Sequence, residues 1–497
     1  MNPANSDETT WLSTGVSGLD NILGGGFTPQ RLHLVEGEPG TGKTTLALQF
    51  LMAGARLGEA CLYITLGETA VELRAAARSH GWDLAGIHIE EIITNENILD
   101  PNQQYTIFHP SEIELGLTNQ RILAAIERYQ PARLVLDSLS EIELLAENPL
   151  RYRRQVMALK QYLASRRCTT LFVDDHSALN DAWQVRSVAH CVVILELQRQ
   201  TYGVDRRHVR IVKYRGVAFR SGAHDYKIAN GGLQVFPRLV AAETRQQGSR
   251  RSLSSGIAAL DELTGGGLDE GMSTLISGPP GSGKSSLAAQ FVDAATRRGE
   301  ACAMFLFEES RSNLLYRSEQ LGMQLNAALA AQLLTVQQID PAELTPGEFI
   351  QAVIDAAETG ARIIVVDSLN GYMKAVPDER FLGTYLHELL NYLGQCGIAT
   401  VLIGVQQSLL GTVMTTSVDA SYVADNVIML RYFEAEGEVR QAISVFKKRG
   451  SPHQRGIHRF EIDHGIRIGR ALTGFRGILG GIPTAGAVLT PLADASN

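Results

Sequence analysis

The sequence predicts two tandem α/β domains, each a mostly parallel sheet flanked by helices. Three observations lead there. First, two octads, Gly37-Glu38-Pro39-Gly40-Thr41-Gly42-Lys43-Thr44 and Gly278-Pro279-Pro280-Gly281-Ser282-Gly283-Lys284-Ser285, fit the G-x-x-x-x-G-K-[ST] pattern of a phosphate-binding loop. Second, landmarks around the octads recur at a steady offset. Third, short runs of Val, Ile and Leu alternate with helical patterns in both halves, as buried parallel strands covered by helices require.

The offset defines the repeat. Lys43 and Lys284 stand 241 positions apart, as do Asp20 and Asp261, Gly24-Gly25-Gly26 and Gly265-Gly266-Gly267, and Glu68 and Glu309. Later it shortens: Asp137 pairs with Asp367 at 230, and Ser187 with Ser421 and Lys213 with Lys447 at 234. At 497 residues the chain is too long for one ordinary core and suits two or three domains; the repeat makes it two, each with its own core. The polar stretch 241–251 places the join, giving domains 1–246 and 247–497.

Each octad lies between a short apolar run (31–36, 272–277) and a helical pattern. Leu46, Phe50, Ala53 and Leu57 share one helix face, as do Leu287, Phe291 and Ala294. Further strands are expected at 60–66, 134–136, 171–173 and 192–197, and at 302–307, 363–366, 401–404 and 427–430. The glycines Gly37, Gly40, Gly42, Gly278, Gly281 and Gly283 let backbone N–H groups turn inward on an anion. The N-terminus of the following helix adds positive potential. Lys43 and Lys284 are placed to meet the β- and γ-phosphates of ATP, and the hydroxyls of Thr44 and Ser285 to hold Mg²⁺. Thr41 and Ser282 within the loops, and Thr45 and Ser286 just after them, complete the expected ATP-binding segments.

Carboxylates supply the remaining chemistry. Asp137 and Asp367 end apolar runs beside the loops, where an acid holds Mg²⁺. Glu68, Glu308 and Glu309 close the second strand of each half and are candidate bases for an attacking water or hydroxyl. The second half carries two adjacent glutamates, whereas Gly67 precedes Glu68 in the first.

These motifs together resemble the KaiC-type ATPases, within the RecA-like branch of phosphate-loop proteins. The resemblance covers nearly the whole chain. It rests on Ser17-Gly18-Leu19-Asp20 with Leu23-Gly24-Gly25-Gly26, both phosphate loops, Ser79-His80-Gly81-Trp82-Asp83-Leu84, Phe307-Glu308-Glu309-Ser310-Arg311, Val366-Asp367-Ser368-Leu369, and Val445-Phe446-Lys447-Lys448-Arg449-Gly450-Ser451. It implies a double-ring homohexamer with ATP between subunits. Lys213 and Arg215, and Lys447 and Arg449, would then reach the neighbour's phosphates, where a cation offsets charge developing on the transferred group. It also implies autophosphorylation in the second domain, with Glu308 activating the acceptor. Counting back from Asp425, the family's Ser-Thr acceptor pair falls on Ser421 and Tyr422. The resemblance further implies a KaiB-like protein or another signalling protein as partner.

Composition bounds the alternatives, which are a RecA-like DNA-dependent ATPase and an ATP-assembled scaffold without kinase activity. A net charge of −8 gives no support to a general nucleic-acid-binding surface, so nucleic acid is not the expected partner. No apolar run reaches the roughly 18 residues of a membrane helix. The polar N-terminus carries no signal-peptide pattern, and five scattered cysteines suit a reducing cytoplasm.

Overall fold

The computed structural model describes residues 11–92, 110–175, 183–243, 251–374, 382–405, 424–473, 475–476, 478 and 484–485. Internal contacts divide the chain into Met1–Arg238 and Leu239–Asn497. Leu239 and Ala241, at the front of the polar stretch, belong to the second unit; the Ala241 N–H donates to Glu388 Oε2 at 2.9 Å.

The first unit is a nine-stranded sheet: β1 (Leu32–Gly37), β2 (Cys61–Thr65), β3 (Ile87–Glu91), β4 (Arg133–Asp137), β5 (Thr169–Asp175), β6 (Cys191–Gln198), β7 (Arg206–Tyr214), β8 (Ala223–Ala229) and β9 (Gly232–Phe236). Their order is β3-β2-β4-β5-β1-β6-β7-β8-β9. Pairing is parallel from β3 through β6 and antiparallel from β6 to β9. In the second unit a short antiparallel pair, β10 (Ser252–Leu253) with β11 (Leu268–Asp269), precedes the sheet. Its nine strands are β12 (Ser273–Gly278), β13 (Cys302–Leu306), β14 (Leu334–Gln338), β15 (Ile363–Asp367), β16 (Ala399–Val405), β17 (Asn426–Ala435), β18 (Glu438–Lys447), β19 (His458–Ile462) and β20 (Ile466–Ala471). They repeat the same order, β14-β13-β15-β16-β12-β17-β18-β19-β20.

Alternation along the buried strands gives each sheet two cores. Val35, Tyr63, Val135, Leu171, Val173 and Val193 face one cluster, with Leu46 and Phe50 of the helix Lys43–Arg56. Leu34, Leu62, Ile64, Leu134, Phe172 and Val192, displaced by one residue, face the other. The second sheet divides likewise: Ile276, Met304, Val365 and Ile403 on one side, Leu275, Phe305, Ile364 and Leu402 on the other. Every strand expected from the apolar runs is present, with ends shifted by a few residues.

Much of the repeated opening motif is structural. Asp20 accepts from Ser13 Oγ at 2.6 Å and Thr14 N at 2.8 Å; Asp261 accepts from Ser255 N and Oγ, both at 2.7 Å. Gly26 and Gly267 have φ of 129° and 116°, and a Cβ there would meet Leu12 O at 2.3 Å or Leu253 O at 2.0 Å. These glycines let the opening segment lie against the chain.

The register refines the repeat offset. His33 lies opposite Cys191 as Thr274 lies opposite Asn426. The offset at this strand is therefore 235, one more than the 234 read from the sequence. The match of Lys213 with Lys447 holds, because they face the equivalent Val192 and Val427. Ser421 and Tyr422 themselves lie outside the described residues. Among the described residues no helix is long and apolar enough to cross a membrane.

Candidate functional site

Both phosphate loops leave the carboxyl end of a central strand. β1 sits between β5 and β6, and β12 between β16 and β17, where the chain direction of connection reverses and such sheets bind ligands. Gly42 and Gly283 cap the helices that follow with φ of 91° and 92°. A Cβ on Gly42 would lie 2.7 Å from Ile228 Cδ1, and one on Gly37 2.7 Å from Leu195 O. Only glycine lets the loop both turn and pack there.

In the first site Lys43, Thr44, Glu68, Asp137 and Gly40 line one cavity of about 400 Å³. Lys43 Nζ donates to Gly37 O at 2.9 Å and Glu38 O at 3.1 Å, and pairs with Asp175 Oδ1 at 2.8 Å. Thr41 accepts the Tyr226 hydroxyl at its carbonyl and donates to Glu38 O at 2.7 Å, bracing the loop. The Thr44 hydroxyl donates to Asp137 Oδ2 at 3.3 Å, and Tyr63 makes a very short bond to the same oxygen. Burial raises the Asp137 carboxyl, while Tyr63, Lys43 and Thr44 favour its charged form. Glu68 projects into the cavity; partial desolvation, then the charge of Asp137, raise its carboxyl as well. A raised carboxyl is a better proton acceptor near neutrality than an ordinary one.

The second site has the same frame with different charges. Lys284 Nζ donates to Pro279 O at 2.8 Å, and burial pushes its ammonium down to about 8. The counterpart of Asp175 is Val405, since Gly37 faces Asp175 and Gly278 faces Val405. Burial also raises Asp367; the Ser285 hydroxyl stands beside it and favours the charged form. Asp367 Oδ2 is buried and has no partner among the described residues. The reason lies in register: Tyr63, donor to Asp137, is replaced by Met304. Ser282 Oγ is also buried without a partner, and Ser286 is buried in the first helical turn with Lys284. Thr45 takes the equivalent place in the first loop helix.

The two glutamates of the second site are not equivalent. Arg317 grips Glu309 in a fork, with Nη2 to Oε2 at 2.9 Å and a shorter Nη1 contact. Glu308 is exposed and makes no side-chain hydrogen bond or ion pair among the described residues, although its charge is felt at Lys284. In the first half the counterpart of Arg317 is Ala76, so Glu68 has no such clamp.

Lys213, Arg215, Lys447 and Arg449 do not join the phosphate loops of their own domains. Lys213 faces Val192, which faces Leu34, near the start of β1. The loop begins at Gly37, three residues up the strand, or roughly 10 Å on. Lys213 Nζ donates to Arg186 O at 2.7 Å and Ser187 O at 3.1 Å, and Arg215 Nη2 to Ser187 O at 2.5 Å. Lys447 Nζ donates to Ala424 O at 2.7 Å, and Arg449 pairs with Asp425 at 3.4 Å.

Neither Asp175 nor Tyr63 was singled out by the motif reading. The signal for Asp175 was the pair Asp174-Asp175 closing an apolar run; Tyr63 carries no motif and emerges only from strand pairing.

Both sites offer what magnesium takes, a hydroxyl and a carboxylate beside a phosphate-binding loop. The buried, partnerless Asp367 Oδ2 fits a hard cation or one of its waters.

Comparison with known proteins agrees with this geometry. The family model "ATPase: KaiC" matches the chain twice, at residues 12–240 and 253–472. The circadian clock oscillator protein KaiC of Acaryochloris marina is 30% identical over 495 residues, 97% of this chain and 93% of the relative. KaiC of Synechococcus elongatus is 30% identical over 485 residues, covering 95% and 92%. The circadian clock protein KaiC3 of a Synechocystis strain is 30% identical over 482 residues, covering 95% and 94%. With two matched domains, two complete phosphate-loop sites and relatives aligned nearly end to end, the chain belongs to the KaiC family of ATPases.

Proposed function

We propose that this ATPase works as a hexameric ring in the cytoplasm, hydrolyses ATP in its first half, and transfers the γ-phosphoryl group to Ser421 or Tyr422 in its second. The observation that carries the transferase reading is the division of labour between Glu308 and Glu309. Arg317 holds Glu309, which leaves Glu308 free beside the loop of Lys284. Glu308 takes the proton from the acceptor hydroxyl, whose oxygen attacks the γ-phosphorus. The bond from that phosphorus to the β–γ bridging oxygen breaks, and ADP leaves. Lys284 binds and orients the phosphates. Magnesium, held by Thr44 with Asp137 or by Ser285 with Asp367, neutralises phosphate charge when bound.

In the first half Glu68 takes a proton from water, and phosphate is released. Lys213, Arg215, Lys447 and Arg449 support the ring reading, because strand register keeps them from their own loops, as contacts to a neighbour's nucleotide would require. A KaiB-like or other signalling protein would read the state of the ring.

The test is incubation of the full chain with ATP labelled at the γ-phosphate, scoring retained label and released phosphate in one sample. Retained label lost in Glu308→Gln, and in either Ser421→Ala or Tyr422→Phe, is the expected result. Released phosphate with no retained label would reduce the function to hydrolysis.

A further inference from the structure

In each domain the loop after one strand meets the helix after its neighbour at the mouth of the site, and strand register fixes which residues correspond. Thr65 lies opposite Asp137 as Leu306 lies opposite Asp367. The Leu66 N–H donates to Asp137 O at 2.7 Å, and the Phe307 N–H to Asp367 O at 2.6 Å. Counting on from Thr65 and Leu306 sets Gly67 against Glu308. Counting on from Asp137 and Asp367 sets Glu141, in the helix Leu139–Ala146, against Gly371, in the helix Leu369–Lys374.

These two places are neighbours in space. A Cβ on Gly371 would lie 2.6 Å from Phe307 Cβ and 3.4 Å from Glu308 Cγ. In the second domain, then, a side chain at 371 is shut out by the pair that carries Glu308. The first domain has the reverse arrangement. Leu66 replaces Phe307, Gly67 replaces Glu308, and a Cβ on Gly67 would meet nothing within 4 Å. The carboxylate comes instead from Glu141, which lines the first cavity with Lys43, Gly67, Glu68 and Asp137. Glu141 is half-buried and makes no side-chain hydrogen bond or ion pair among the described residues. Its helix packs through Leu139, Ile142 and Ala146, so packing does not call for a carboxylate at 141.

We propose that Glu141 is a further catalytic residue of the first site, holding the attacking water together with Glu68 and replacing the carboxylate missing at Gly67. The inference rests on the reading that the first half hydrolyses ATP with Glu68 as base. Glu68 takes one proton of the water, whose oxygen bonds to the γ-phosphorus. The bond from that phosphorus to the β–γ bridging oxygen breaks, its electron pair stays with that oxygen, and ADP leaves. Glu141 accepts a hydrogen bond from the water's other O–H and so aims the water's lone pair at phosphorus. The number of free carboxylates matches the nucleophile in each half. An acceptor hydroxyl has one O–H, and the second site leaves one glutamate unclamped, because Arg317 grips Glu309. Water has two, and Glu68 and Glu141 are both without such a clamp.

The experiment measures phosphate release, and affinity for a non-hydrolysable ATP analogue, on the full chain carrying Lys284→Ala, so that turnover comes from the first half. Glu141→Gln keeps the size and removes the charge, and Glu141→Gly copies Gly371. Gly67→Glu, added to Glu141→Gly, completes the exchange into the second domain's arrangement. The expected result is a kcat lower by about tenfold to hundredfold in Glu141→Gln and Glu141→Gly, as for a lost hydrogen bond to a charged group, with analogue affinity within about twofold of the parent. Adding Gly67→Glu should recover most of the loss, which a role in helix packing would not allow. Turnover within about twofold of the parent in both Glu141 variants, or a loss that Gly67→Glu leaves in place, would overturn the proposal. So would a fall in analogue affinity as large as the fall in rate. Glu68→Gln is measured beside them. If it turns over normally while the Glu141 variants do not, the Glu68 assignment alone falls; if the parent releases no phosphate, both readings fall.

Discussion

Raising the pH is expected to weaken nucleotide binding at the second site. Lys284 is only 6% exposed, and its Nζ is held by a neutral carbonyl. Burial pushes its ammonium down to about 8, and the charges of Asp367 and Glu308 offset only part of that. A bound triphosphate brings several negative charges to the ammonium and lifts it again. Where Lys284 is neutral beforehand, binding must therefore take up a proton. Affinity is then flat below about pH 8 and falls up to tenfold per pH unit above it, or about thirtyfold by pH 9.5. The same shift affects stability. The folded value lies below the ordinary lysine value of 10.5. The nucleotide-free domain therefore carries a burial cost in full below the folded value, relieved as pH rises towards the unfolded one. Its stability to denaturant should rise across that window, by at most about 3 kcal/mol. The assay is titration of a fluorescent ATP analogue into Lys43→Ala, which silences the first loop, with Lys284→Arg added in a parallel sample. Arginine stays charged throughout, so its profile should be flat. A flat profile with Lys284 in place, or an equal fall in Lys284→Arg, would refute the reasoning.

Three further outcomes follow from the contacts. Asp175→Val copies Val405 and frees Lys43 from a half-exposed ion pair at 2.8 Å. Such pairs contribute about 0.2–1 kcal/mol, so nucleotide should bind the first site up to about fivefold tighter in a Lys284→Ala background; a tenfold loss would instead make Asp175 a ligand. Single-turnover measurements at the second site should show Glu308→Gln slowing phosphoryl transfer by about 10²–10⁴, with Glu309→Gln costing less than about tenfold. Equal losses would reassign the base. Arg133 is fully buried in β4 and donates to Glu59 at 2.5 Å, Ser13 O at 2.8 Å and Phe50 O at 3.0 Å. Arg133→Met strands all three acceptors, and denaturant unfolding should show the first domain losing about 3 kcal/mol. A loss under about 1 kcal/mol would mean that the acceptors find water.

The central strands were legible because burial on both faces forces unbroken apolar runs, as in Ile363-Ile364-Val365-Val366. Edge strands escape that rule. β3 reads Ile-His-Ile-Glu-Glu and is only partly buried, so it carries no apolar run. β7 reads as a basic stretch, because only part of Arg206–Tyr214 faces the core. The phosphate loops were legible for a different reason: backbone geometry admits few residues there, as the close contacts at Gly37 and Gly42 attest. The partners of the catalytic groups were not legible. Tyr63 meets Asp137, and Lys43 meets Asp175, through strand pairing, which places together residues far apart in the chain.

Those hidden partners are where the halves part company. Tyr63 becomes Met304, Asp175 becomes Val405, Ala76 becomes Arg317, and His190 becomes Asp425, while sheet order stays the same. Their combined effect has a direction. In the first site the loop lysine and the strand-end aspartate each have a side-chain partner before any ligand arrives. In the second, Lys284 rests on a neutral carbonyl and Asp367 Oδ2 has no partner among the described residues. Lys284 and Asp367 compensate each other only in part, and a partly compensated buried charge destabilises the fold until a ligand completes it. The nucleotide-free second domain therefore has more to gain from its ligand than the first, and nucleotide binding should be coupled more strongly to its folding stability. At the opposite end of the sheet Asp425 pairs with Arg449 in the second domain, where strand register gives the first domain His190. One backbone frame thus carries different charge partners at both ends of its sheet in the two halves.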